Sequence, residues 1–96
     1  MTTVTLLIFS GRPDPIWELT PGEAAELVLH LREFEPAEEL SALGYRGFMV
    51  QSDDPDLPRK VIVRRSPKLE RFLLRSGAQH LPPEILPIVE EAIERN

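Results

Sequence analysis

The chain has 96 residues, enough for one core and too few for a second. It contains no cysteine, which excludes a disulfide scaffold, a thiolate metal site and a cysteine nucleophile. The net charge of −5, with 42% hydrophobic and 28% charged residues, describes an ordinary acidic globular chain and counts against general affinity for nucleic acid or anionic lipid.

Val4–Phe9 is β-branched and aromatic, too short for a helix, and closed by Ser10-Gly11. It reads as a strand with apolar side chains on both faces, hence one interior to a sheet or covered on both sides. The loop Ser10–Trp17 carries Pro13 and Pro15, which exclude a helix and favour a stiff extended path. Ile16, Trp17 and Leu19 read as a short extended piece able to pair back on the first strand.

Thr20-Pro21-Gly22-Glu23 is a capping box with proline at the first helical position. Ala24, Leu27, Val28, Leu31 and Phe34 follow at helical spacing, and Pro36 stops the helix. Pro36–Gly44 reads as a short second helix, with glycine just past its end. Gly47–Ser52 and Arg59–Arg65 read as a hairpin around the acidic turn Asp53–Pro58. Ser66-Pro67 repeats the cap-and-proline start of a helix whose stripe is Leu69, Phe72, Leu73 and Ser76 and which ends at Gly77. The last helix carries Ile85, Val89, Ala92 and Ile93, with Pro87 in its first turn.

This order predicts a single α+β domain of two layers, a three- or four-stranded sheet with helices packed on it. A winged-helix arrangement is the alternative, weakened by the lack of a good third helix before the hairpin.

Charge is segregated along the chain. Residues 1–58 hold 11 acids and 3 bases, residues 59–83 hold 1 acid and 7 bases, and residues 84–96 hold 4 acids and 1 base. Arg64, Arg65, Lys68, Arg71 and Arg75 form a candidate basic patch, either matched to acids of the same chain or open to an acidic partner. The lack of interleaved aromatics and the negative net charge count against a nucleic-acid surface there.

The second candidate site is the loop. Arg12, Asp14 and Trp17, with Tyr45 and Arg46 nearby in the predicted topology, provide a guanidinium, a carboxylate and aromatic surface for a small anion or a peptide. Against this stands a reading in which Arg12 pairs internally and Trp17 fills the core. No Gly-x-Ser-x-Gly elbow surrounds any serine, and no nucleotide loop is present. His30 and His80 lack metal-ligand spacing, and Asp53, Asp54 and Asp56 lack the glycine and glutamate of a calcium loop. No metal, cofactor or catalytic constellation is therefore expected.

Ser10-Gly11-Arg12-Pro13-Asp14-Pro15-Ile16-Trp17, Gly44-Tyr45-Arg46-Gly47 and Leu69-Glu70-Arg71-Phe72-Leu73-Leu74 together resemble the pattern of a family of small proteins. That pattern is a strand, Ser-Gly-Arg-Pro-Asn-Pro-x-Trp, a helix, Gly-Tyr-x-Gly, and Leu-Glu-Arg-Trp-Leu-Leu. Asp14 stands in place of its asparagine and Phe72 in place of its tryptophan. The resemblance implies a single domain and points to the loop, without implying a substrate.

The expected role is a non-enzymatic interaction or accessory module with a protein partner. The lack of a signal sequence and of cysteine points to the cytoplasm. Either a monomer or a homodimer is compatible, the latter through pairing of an edge strand such as 47–52.

Overall fold

A computed structural model describes residues 1–9, 11, 13–34 and 44–95. Its strands are β1 (Thr2–Leu6), β2 (Ile16–Glu18), β3 (Phe48–Ser52) and β4 (Lys60–Val63). Its helices are α1 (Pro21–Leu31), α2 (Pro67–Gly77) and α3 (Ile85–Arg95), with a 3₁₀ turn at Ala78–His80. Arg12 and all but Gly44 of the expected Pro36–Gly44 helix lie outside the described residues.

The strands form one antiparallel sheet in the order β2-β1-β3-β4. This is the expected α+β fold in its four-stranded form, with β1 interior and Ile16–Glu18 as one of its neighbours. It is not a winged helix. β3 is also interior, so residues 47–52 cannot act as the edge that pairs with a second copy.

Register assigns side chains to faces. Val4 pairs with Trp17 and Val50, and Leu6 with Phe48; Val61 and Val63 continue these rows on β4. All are buried, and they share one apolar cluster with Leu27 of α1, Leu69, Phe72, Leu73 and Leu74 of α2, and Ile85, Val89 and Ile93 of α3. The three described helices therefore cover the same face of the sheet, giving two layers. Burial of each large side chain supplies about 1.5–3 kcal/mol, which makes this cluster the main source of stability.

Element ends differ from the sequence reading for physical reasons. β1 runs Thr2–Leu6 rather than Val4–Phe9. Its start is set by pairing with Ser52 and by the Asp53 N–H donating to Met1 O, and its end by a side chain, Asp14. β4 stops at Val63, shortly before Arg65 takes a left-handed backbone, φ 59°. α1 begins as read: Thr20 Oγ1 accepts the Glu23 N–H and Glu23 Oε1 accepts the Thr20 N–H. It ends at Leu31 because Arg32 and Phe34 donate back to Leu29 O and Leu31 O, the i to i−3 tightening of a last turn.

Ser66 does not cap α2 with its side chain. Its own N–H instead donates to the Glu70 carboxylate. α2 does end at Gly77, but the glycine there makes room for an indole. No described helix is long and apolar enough to cross a membrane.

Candidate functional site

The loop after β1 is held by a carboxylate. Asp14 Oδ1 accepts the consecutive N–H groups of Ile8 (3.0 Å) and Phe9 (2.7 Å), which turns the chain out of the sheet. Arg46 closes the same corner. Its Nη2 donates to Phe9 O at 2.8 Å and lies 3.5 Å from Asp14 Oδ2, and its Nε donates to Gly44 O at 3.3 Å. Leu7 N donates to Gly47 O and Arg46 N to Leu7 O, so the end of β1 and the start of β3 share one hydrogen-bonded frame. Asp14 and Arg46 are about one-fifth exposed and spend their polar atoms inside the chain.

Trp17 and Tyr45 point the other way, into the core. Trp17 is buried, with its ring edge-on to Phe48 and Nε1 donating to Ser76 Oγ at 3.0 Å. Ser76 passes the bond on to Leu73 O at 2.6 Å, so the indole N–H is satisfied through a helix. Tyr45 also packs edge-on to Phe48, with centroids 5.9 Å apart. Its hydroxyl donates to Glu70 Oε1 at 2.5 Å.

Glu70 is the residue that sequence reasoning missed. It is fully buried, with Oε1 accepting from Tyr45 and Oε2 from the Ser66 N–H. The signal was present as the lone acid in a segment with seven bases. Burial pushes the Tyr45 pKa above the ordinary 10.0, and the hydrogen bond and charge of Glu70 push it further.

The structure thus brings Asp14 and Arg46 together, and separately links Trp17 and Tyr45 through Phe48. It does not gather these four around an open cleft. Among the described residues no three His, Asp or Glu side chains form a metal-binding group.

The basic patch divides in two. Arg64 is half-buried; a Cβ on Gly47 would lie 2.5 Å from its Cγ, so its stem lies against that glycine. Its Nε is buried without a partner. Arg65, Lys68, Arg71 and Arg75 are exposed. The last three stand on one side of α2 at i, i+3, i+7 spacing, and among the described residues their ion pairing is that of Arg71 with Glu94 of α3, at 3.8 Å.

α2 sits between the other helices. His30 of α1 stacks on Phe72, with centroids 4.8 Å apart, and Arg71 reaches Glu94 on the far side. The outer surface of the helical layer therefore runs acidic (Glu26, Glu33), basic (Lys68, Arg71, Arg75), acidic (Glu90, Glu94), while Glu91 pairs with Arg95 of its own helix. No family model, curated protein or solved structure matches the chain, and the site rests on this geometry.

Proposed function

We propose that the chain is a small protein-interaction module that receives an acidic protein segment along the outer face of α2, acting in the cytoplasm. The observation that supports this reading is the exposed row Lys68, Arg71 and Arg75, whose charges are left almost unspent by ion pairs among the described residues. Its acidic flanks make the surface selective. A short acidic peptide can follow the single basic row, whereas a wide polyanion such as nucleic acid meets carboxylates on both sides. The loop residues Asp14, Arg46, Trp17 and Tyr45 act in this reading as the frame that holds the sheet, because their polar groups are engaged within the chain.

Fluorescence anisotropy tests the proposal with a labelled Asp/Glu-rich peptide and a single-stranded oligonucleotide of equal charge. The peptide is expected to bind, and to weaken on Arg71→Glu, on Arg75→Glu and with added salt. Tighter binding of the oligonucleotide, with a steep salt dependence, would favour a nucleic-acid surface instead. Binding of neither probe, or peptide binding indifferent to both substitutions, removes the proposal.

A further inference from the structure

The sheet ends on one side in β4, and the outer edge of that strand is open. The Ser52 N–H donates to Arg59 O at 3.1 Å, which makes these two residues a hydrogen-bonded pair of the β3–β4 ladder. Bonded and non-bonded pairs alternate in an antiparallel ladder, so Val61 with Val50 and Val63 with Phe48 are bonded likewise. The backbone groups of Lys60 and Ile62 therefore point away from β3. No strand lies on that side, and among the described residues these N–H and C=O groups meet no partner.

An open strand edge is a template for a further strand, and proteins usually blunt it. The opposite edge of this sheet is blunted by length and sequence: β2 has three residues, follows Pro15 and ends on Glu18. β4 has no proline within it, and its edge is marked by charge instead. Arg59 and Lys60 at its start and Arg65 just past its end are exposed, and among the described residues none of them is in an ion pair. These cations select the occupant. Two copies joined through β4 would lay one row of cations along another, a repulsive pairing. Only a polypeptide in extended form meets the free backbone groups, and only an acidic one meets the cations.

We propose that the β4 edge receives an acidic segment of a protein partner, which adds to the four-stranded sheet as a further strand. This surface is separate from the basic row of α2, and neither reading rests on the other. The ladder fixes where the acid goes. Lys60 turns its backbone outward, so the partner residue opposite it exchanges hydrogen bonds with it and presents its side chain beside the lysine. A carboxylate belongs at that position, within the field of Arg59 and Arg65. Asp54 and Asp56, in the turn before β4, repel an acid that runs past Arg59 and so confine the acidic part to the strand.

Amide hydrogen exchange read by NMR on the full chain tests this, with a short peptide of alternating Glu and Thr as the probe. In the free protein the Lys60 and Ile62 amides are expected to exchange faster than those of Val61 and Val63, which are bonded to β3. Saturating peptide should slow Lys60 and Ile62 about tenfold. Affinities are compared in an Arg75→Glu chain, where the α2 row is weakened. There, a peptide N-methylated at every Glu should bind about tenfold more weakly than one methylated at every Thr, because the Glu amides are the ones that face β4. Lys60→Pro removes an outward N–H and spares the β3 ladder, and Lys60→Glu reverses the charge; both should weaken binding, with far-UV circular dichroism confirming the fold. Lys60 and Ile62 amides already protected in the free chain, exchange unchanged by the peptide, or equal binding of the two methylated peptides would each overturn the proposal. A peptide that binds with those amides unchanged and is released by Arg75→Glu belongs to α2, so that reading would stand while this one fell.

Discussion

At the scale of single residues, the most constrained contact is between Gly77 and Trp17. A Cβ on Gly77 would lie 2.6 Å from Trp17 Cδ2 and closer still to Cε2 and Cζ2. Alanine normally gains about 1 kcal/mol over glycine inside a helix. Here overpacking against a buried indole costs roughly 1–3 kcal/mol and leaves no flexible side chain to give way. Gly77→Ala is therefore expected to destabilise, read as a lower urea midpoint with an unchanged m-value; equal or higher stability would remove this role for the glycine. Tyr45 offers a second residue-scale measurement. Its folded pKa is raised above 10.0, so its contribution is intact below about pH 10 and is lost as pH climbs beyond the unfolded value. Because Tyr45 is the only tyrosine, absorbance at 295 nm follows it alone. Phenolate is expected to appear together with the change in Trp17 fluorescence that marks unfolding. Ionisation near pH 10 with native fluorescence intact would show that the buried Tyr45–Glu70 pair does not exist in solution.

At the scale of elements, segment ends are decided by side chains from elsewhere. β1 stops where Asp14 takes the N–H groups of Ile8 and Phe9, and Arg46 ties the same corner to the start of β3. Asp14→Ala removes the acceptor of two part-buried N–H groups, at about 1–3 kcal/mol for each fully stranded group. Asp14→Asn keeps one acceptor oxygen and should recover part of that loss. Chemical denaturation of the two variants checks the order; equal stability of alanine and wild type would mean that the loop is held by other contacts. α1 depends on local chemistry instead. Removing its cap with Thr20→Ala should cost about 1 kcal/mol, measured the same way. The start of α2 is tertiary: Glu70 takes the Ser66 N–H and the Tyr45 hydroxyl at once, so Tyr45→Phe reaches the helix start through a carboxylate 25 residues away in sequence.

At the scale of the whole molecule, charge segregation in the sequence becomes three stripes across the helical layer. Surface ion pairs there are weak, the Arg71–Glu94 pair being 3.8 Å long and about half exposed. Arg75→Glu is accordingly expected to change folding stability by no more than about 0.5 kcal/mol while weakening binding of an acidic peptide. A large loss of stability in the thermal melt would instead assign Arg75 a structural role.

Local rules were sufficient for much of this organisation. The α+β class, the α1 capping box, the interior position of the first strand and the hairpin of β3 and β4 follow from period, capping and turn chemistry, which act over a few residues. The proline and glycine positions also mark where elements start and stop. What long-range packing alone decided is which side each polar group faces. The sequence left Trp17 and Tyr45 open between a ligand site and the core; packing joins them through Phe48 and gives them partners at Ser76 and Glu70. The interior place of β3 likewise depends on which elements lie side by side. A buried polar group must be satisfied wherever a partner is available, and in a chain this short that partner lies on another element.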